Sequence, residues 1–189
     1  MPINLSKGER INLSKEAPGL KNAWVGLGWD LNATDTGTSF DLDASVFMVG
    51  AAGKISSDQY FVFYNNKNSP DASVQHLGDN RTGEGAGDDE LVEVDLSKVD
   101  ASVQEIVFVV TIHDATQRRQ NFGQVRNAYI RIADSMTEQE IMRYELDEDF
   151  STETAIEFGK LYRKDGSWRF QAVGQGYNAG LEKFVQQYS

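Results

Sequence analysis

The sequence contains no cysteine, which excludes disulfide bonds, thiolate metal sites and redox catalysis by thiols. Histidine is nearly as scarce, because His76 and His113 are the two imidazoles that could act as bases. No hydrophobic run approaches the length of a membrane span, and residues 1–7 contain no apolar signal-peptide core. These absences predict a cytoplasmic protein without a membrane span.

Basic residues are also fewer than acidic ones. Lys and Arg number 18 against 29 Asp and Glu, which gives a formal net charge of −11. Nucleic-acid binding requires a basic surface to meet the phosphates, so this balance argues against a DNA or RNA partner. The 189 residues are most simply one domain, residues 1–189, which is long enough to bury its core without covalent or metal staples.

Much of the acid is concentrated in a glycine-rich stretch at residues 78–90, where five carboxylates accompany one arginine. Like charges this close together raise the energy of each ionised form. The stretch is therefore either a solvated, salt-screened acidic turn or a site for a hard cation. Oxygen ligands without Cys or His favour calcium, and magnesium less so.

The span from Asp79 to Glu90 has the twelve-residue length of an EF-hand loop, with an acid at each end. Arg81 and Gly83 nevertheless occupy positions where ligands are expected, and Glu84 stands where the sharp turn requires glycine. The flanking residues also have strand patterns rather than helical ones. The stretch is not an EF-hand.

A second acidic region begins at Asp30 and continues through Asp41 and Asp43. In the strand pattern of residues 40–48, Asp41 and Asp43 share one face and lie about 7 Å apart, so both could reach one cation or two neighbouring cations. The simpler alternative is the polar face of a half-exposed strand. Asp30 could instead cap a turn.

Short apolar segments separated by turn residues predict a mainly β protein, an antiparallel β-sandwich of two sheets with a few short helices. The pattern predicts a hairpin from residues 3–7 and 11–15, strands at 23–29, 40–48, 60–64, 91–96, 106–112, 129–132 and 141–146, a second hairpin from 155–162 and 168–173 around Asp165-Gly166, and helices at 114–122 and 178–188.

Five segments together give a resemblance that runs along almost the whole chain: Gly26–Asp30, Phe40–Ser45, Gly78–Glu90, Ser151–Ala155 and Ala172–Gly176. In these segments the sequence resembles the TerD/TerE family of tellurium-resistance proteins. The resemblance implies a calcium-binding β-sandwich that acts in the stress response. It also implies partners among the other tellurite-resistance proteins, either a sister protein or a membrane-associated complex. Ala86 departs from the family pattern, in which Asp is frequent.

The two acidic regions carry more negative charge than one divalent ion neutralises, so we expect two calcium ions with 6–8 oxygen ligands each. The predicted ligands are side chains from both regions together with the backbone oxygens of Thr82 and Gly85. The side chains are those of Asp30, Asp41, Asp43, Asp79, Asn80, Asp88, Asp89 and Glu90.

Catalysis finds little support in the sequence. His113-Asp114 is more typical of a turn pair than of a catalytic dyad, and no recognisable Ser-His-Asp motif is present. Asp41 and Asp43 have a spacing that would suit an inverting glycosidase, but such an acid needs an apolar pocket to raise its pKa. Three functions remain open: a non-enzymatic calcium-dependent interaction module, which we favour, a calcium-bridged binder of anionic lipid, and a hydrolase.

Overall fold

The computed structural model describes residues 2–31, 42–79, 88–113, 115–146 and 152–189. These residues form twelve strands and three α-helices, with two short 3-10 helices at Asp58–Tyr60 and Phe122–Gln124. In chain order the elements are β1 (Ile3–Leu5), β2 (Arg10–Asn12), α1 (Leu13–Glu16), β3 (Asn22–Leu31), β4 (Leu42–Gly50), β5 (Phe61–Val62), β6 (Val74–Asp79), β7 (Glu90–Asp95), β8 (Val103–Ile112), α2 (Ala115–Arg118), β9 (Val125–Asp134), β10 (Glu140–Glu145), β11 (Ala155–Lys164), β12 (Ser167–Tyr177) and α3 (Leu181–Tyr188).

The strands form two six-stranded sheets that pack face to face. Sheet A has the order β1-β10-β9-β3-β7-β6, and sheet B has the order β2-β12-β11-β8-β4-β5. The β1–β10 pair is parallel, and the other described strand pairs are antiparallel. The predicted antiparallel β-sandwich is thereby confirmed.

The alternation of side chains along each strand builds the core. On β7, Val92 and Val94 are buried between the sheets, whereas Leu91 and Glu93 lie on the outer side. Strand β8 is apolar on both faces because both are covered: Phe108 packs in the inter-sheet core, and Val109 packs in a second cluster with Phe184 of α3. The predicted central position of residues 106–112 in a sheet is confirmed.

The predicted hairpin at the start of the chain is wrong. Strand β1 pairs with β10 in sheet A and β2 pairs with β12 in sheet B, so the two strands lie in different layers of the sandwich. An isolated two-stranded hairpin buries little apolar surface. The observed arrangement instead buries Leu5, and Leu13 at the start of α1, in the inter-sheet core. Around Gly8 the chain bonds to Ala172 of β12, whose carbonyl accepts from the Gly8 N–H at 2.7 Å.

The second predicted hairpin is confirmed. Lys164 of β11 faces Ser167 of β12, and the two residues between them, Asp165 and Gly166, have φ values of 54° and 73°. This left-handed pair matches a two-residue turn that follows the twist of its strands. The tail helix is confirmed as α3. Strand β6 was not predicted, and Asp114, the predicted cap of a helix, lies outside the described residues.

Within the described residues, no helix has both the length and the apolar character that crossing a membrane requires.

Candidate functional site

Three consecutive acids, Asp88, Asp89 and Glu90, enter β7, and each carboxylate reaches a different environment. The backbone is fixed at this point, because the Asp89 N–H donates to the Leu27 carbonyl at 2.8 Å and Leu27 faces Glu90 in the β3–β7 register. Side chains alternate along an extended chain, so neighbouring acids leave the sheet on different sides. The segment thus enters sheet A at the edge of the predicted calcium loop.

The Asp88 carboxylate is held by β9 on the outer face of sheet A. Arg131 donates from Nη2 to Oδ2 at 2.6 Å and from Nε to Oδ1 at 2.9 Å, and the Tyr129 hydroxyl donates to Oδ1 at 2.8 Å. The hydrogen bonds that Arg131 donates to Asp88 raise the pKa of Arg131 above its ordinary value. Burial, followed by the hydrogen bond and the charge of Asp88, raises the pKa of the Tyr129 hydroxyl. We call these three residues the Asp88 clamp.

Two glycines of β3 make room for the Asp88 clamp. Gly26 faces Arg131 and Gly28 faces Tyr129 in the β3–β9 register. A Cβ at Gly26 would lie 2.4 Å from the Asp88 carboxylate, and a Cβ at Gly28 would lie 2.4 Å from the Tyr129 ring. Glycine within a strand is a sign of such a close approach.

The Asp89 carboxylate lies at the end of β3, close to other acids. Its Oδ2 accepts a hydrogen bond from the Trp29 N–H at 2.8 Å. Burial raises the pKa of Asp89, the Trp29 hydrogen bond opposes that rise, and the charges of Asp30 and Asp88 add to it. The Asp30 carboxylate in turn accepts from the Asn127 side-chain amide at 2.9 Å. Carboxylates from both predicted acidic regions therefore act on each other here.

Glu90 turns inward, and its side chain is 2% exposed. Its Oε2 lies 2.7 Å from Nε2 of His76 on β6, and its Oε1 accepts from the Ala44 N–H of β4 at 3.3 Å. Ala44 belongs to sheet B, so Glu90 brings the start of β4 to the same end of the sandwich as Asp89. His76 is itself buried and faces this carboxylate in the interior.

Asp43 precedes Ala44 on β4 and is half-buried opposite Thr111 of β8. Its side chain lines an open cleft of about 500 Å³. The wall of this cleft also includes Tyr64, His113 and Glu182. Asp43 therefore lies on the outer side of sheet B, next to the strand position that Glu90 contacts.

The ten predicted metal ligands divide into two groups. Asp30, Asp43, Asp88, Asp89 and Glu90 are described, and their partners are given above. Asp41, Asn80, Thr82 and Gly85 lie outside the described residues, and of Asp79 at the end of β6 only the backbone is described. The described residues alone contain no group of three or more His, Asp and Glu side chains placed to hold a metal ion.

Three residues that shape this site were not predicted as part of it from the sequence: Arg131, Tyr129 and His76. Arg131 and Tyr129 reach Asp88 from a strand more than 40 positions away in the chain. The signal that could have indicated Arg131 and Tyr129 is the pair of strand glycines, Gly26 and Gly28, since these imply large side chains packed over the backbone.

Comparison with known proteins places the chain in a family. Over 188 residues it is 55% identical to the tellurium resistance protein TerD of Serratia marcescens and 53% identical to the general stress protein 16U of Bacillus subtilis strain 168. Each match covers 100% of this chain and 97% of the relative.

The fold is also similar to the crystal structure of a homologue of the telluride resistance protein TerD from Streptomyces coelicolor A3(2). The TM-score is 0.68 at 24% identity, over 88% of this chain and 96% of the other. The TerD domain family matches residues 1–188. The chain therefore belongs to the TerD domain family.

Proposed function

We propose that this protein binds calcium at the end of the sandwich where β3, β4 and β7 meet, and that it acts as a calcium-dependent interaction module in the response to tellurite and related stress. The observation that carries the proposal is the grouping of carboxylates there: Asp89 accepts from the Trp29 N–H beside Asp30, and Asp88 and Glu90 flank Asp89 in the chain. Asp30 and Asp88 both raise the pKa of Asp89, which is already partly desolvated. A cation offsets the repulsion between these carboxylates.

The donor chemistry fits calcium. The described groups are carboxylate oxygens, which hard divalent cations prefer, and the chain has no thiolate to favour a softer metal. Because the described acids do not complete a site, the remaining ligands would come from the predicted set at Asp41, Asp79, Asn80, Thr82 and Gly85. Calcium bound there would neutralise the acids and connect both acidic regions, with two ions expected.

Calorimetry tests the calcium proposal. Protein stripped with chelator and titrated with calcium should bind two ions, and Asp89→Asn should weaken or abolish part of that binding. Asp58→Asn, an exposed acid in a 3-10 helix, is the matched control and should bind like the parent protein. A parent protein that takes up no calcium to millimolar concentration would contradict the proposal.

The names of the relatives support a role in tellurium resistance and stress, and the chemistry that the chain lacks favours an interaction role over catalysis. Reduction of an oxyanion requires a thiol or a redox cofactor as electron source, and the chain has no cysteine. The net charge of −11 also repels an anion such as tellurite. We therefore propose a non-enzymatic protein whose partners are other tellurite-resistance proteins, either a sister protein or a membrane-associated complex.

Two assays separate this role from the alternatives. Co-sedimentation with phosphatidylserine vesicles, with calcium or with chelator, should leave the protein in the supernatant in both cases. Calcium-dependent pelleting would instead identify a lipid-binding domain. Purified protein incubated with tellurite and either NADPH or glutathione should reduce no more tellurite than the protein-free control. Faster reduction that Asp43→Ala abolishes would make the protein an enzyme.

A further inference from the structure

We propose that Arg131 is a positioning residue for the calcium site, and that Asp88 anchors the chain before β7 to β9 instead of binding calcium. This inference rests on the proposed function and deepens it. Residues of β9 on the outer face of sheet A would then help to set the calcium affinity, although they do not belong to the predicted loop.

The Asp88 carboxylate is saturated with hydrogen bonds. Both oxygens accept from the Arg131 guanidinium, with a further contact of 3.0 Å from Nε to Oδ2, and Oδ1 also accepts from Tyr129. A two-point contact between arginine and a carboxylate is among the stronger hydrogen-bonded pairs in proteins, and its planar geometry fixes orientation. The side chains are 22% and 9% exposed for Arg131 and Asp88, so solvent competes weakly.

Residues of β10 contact the Asp88 clamp and hold it in place. Glu140 of β10 accepts from Arg143 at 2.9 Å and lies 3.8 Å from Nη1 of Arg131. The Arg143 guanidinium lies over the Tyr129 ring at 4.3 Å. Two arginines and two carboxylates thus form a charge-balanced network: Arg131 lies on β9, Arg143 and Glu140 lie on β10, and Asp88 precedes β7.

The Asp88 clamp is linked to the proposed calcium site through Asp89. Asp88 is bonded directly to Asp89, whose backbone and side chain are fixed by Leu27 and Trp29 at the end of β3. Holding Asp88 over Gly26 therefore fixes where the chain leaves the acidic loop and where the Asp89 carboxylate points. Residues that orient a metal ligand from behind commonly set metal affinity over a 10–100-fold range.

The direction in which the calcium Kd changes when Arg131 is removed separates positioning from simple electrostatics. Arg131 places a positive charge near the proposed cation site, so on Coulombic grounds alone its removal would tighten calcium binding. If Arg131 acts by positioning, its removal weakens binding. Arg131→Lys sharpens the distinction, because it keeps the charge and loses the two-point geometry.

The experiment is calcium calorimetry on Arg131→Gln, Arg131→Lys and Tyr129→Phe, starting from chelated protein. We expect the calcium Kd to rise about 10–100-fold in Arg131→Gln and by a smaller factor in the other two. Arg126→Gln is the matched control: it removes the same charge from an exposed position on the same strand, opposite Asp30, and should bind as tightly as the parent or more tightly. Tyr129→Phe keeps the ring beside Gly28, so it retains the packing if the arginine variants fold poorly.

Asp88→Asn and the double variant Asp88→Asn/Arg131→Gln complete the design. An anchor predicts that both weaken affinity with unchanged stoichiometry, and that the double variant is no weaker than the more affected single variant. A parent protein that binds calcium, with Arg131→Gln binding equally or more tightly, would overturn the inference alone. Loss of one bound ion in Asp88→Asn would also overturn it, by making Asp88 a ligand. A parent protein without calcium binding would overturn the proposed function as well.

Discussion

The Glu90 carboxylate accepts a hydrogen bond from the Ala44 N–H across the sandwich, at 3.3 Å, and so joins sheet A to sheet B through a buried acid. The same carboxylate lies 2.7 Å from the His76 imidazole. Glu90 is therefore a cross-sheet bond within the core as well as the last acid of the predicted loop. Its substitution tests the fold separately from calcium binding.

Glu90→Ala removes the carboxylate that contacts both Ala44 and His76. Since buried polar groups that lose their partner cost free energy, we expect the free energy of unfolding to fall by about 3 kcal/mol. Urea denaturation in excess chelator measures this without any contribution from calcium. Glu93→Ala, on the opposite side of the same strand, is the control and should cost much less. Equal losses in the two variants would contradict the structural role of Glu90.

Glu157 gives a pH dependence that is independent of the calcium site. Burial raises the pKa of Glu157 above its ordinary value of 4.5, against the hydrogen bond from the Tyr188 hydroxyl at 3.1 Å and the charges of Lys160 and Lys183. Folding therefore favours the protonated acid. The resulting stabilisation is fully present below the unfolded pKa and is lost as pH rises through the higher folded pKa.

Glu157→Gln resembles the protonated acid and keeps an acceptor for Tyr188. We expect its Tm to exceed that of the parent protein at about pH 8, and the difference to shrink towards about pH 4.5. Thermal melts in chelator across this range provide the measurement. Glu93→Gln, an acid on β7 of the other sheet, should show no such pH-dependent gain. A Glu157→Gln advantage that stays constant with pH would count against the buried-acid explanation.

Gly174 tests a close approach between β12 and β10. Its φ is +62°, and a Cβ there would lie 2.0 Å from the Tyr144 hydroxyl oxygen, in a side chain that is 2% exposed. Gly174→Ala should therefore lower the free energy of unfolding by about 2–4 kcal/mol, from backbone strain and overpacking together. In a double-mutant cycle by denaturation, Tyr144→Phe should recover part of that loss. Additive losses would show that the hydroxyl is not the obstacle.

Calcium itself should stabilise the fold, because a ligand that binds only the native state shifts the unfolding equilibrium by mass action. The shift is about 4 kcal/mol at a thousandfold excess over the Kd. Differential scanning calorimetry with calcium or with chelator should show a higher Tm with calcium. Asp89→Asn should show a smaller rise than Asp58→Asn. An identical Tm in calcium and chelator would contradict calcium binding at the native site.

The sequence correctly predicts those turns and strands that depend on neighbouring residues alone. Asp165-Gly166 predicts its turn because the left-handed conformation is encoded in those two residues. Residues 106–112 predict a central strand because both faces are apolar. The hairpin at residues 3–15 failed because its strands find their partners at 142–144 and 169–171, and alternation along a strand does not specify a distant partner.

The candidate site was predicted in its acids but not in their partners. Clustered carboxylates are visible in the chain, so Asp30, Asp43, Asp88, Asp89 and Glu90 could be selected from sequence. Ligation of calcium by Asp30, Asp43, Asp89 and Glu90 stays a prediction, whereas for Asp88 an anchoring role is proposed in its place. The cations and donors that hold them depend on the β3–β9 register and on the stacking of the two sheets, neither of which the local sequence reports.

The division of β1 and β2 between the two sheets has a consequence for biosynthesis. Residues 3–12 are synthesised early, yet their strands pair with β10 and β12, which end at Glu145 and Tyr177. During translation β1 therefore cannot pair before residue 144 has emerged, and β2 cannot pair before residue 171 has emerged. Both strands therefore become able to pair only after the residues of other pairs, such as β3 with β7, have already emerged.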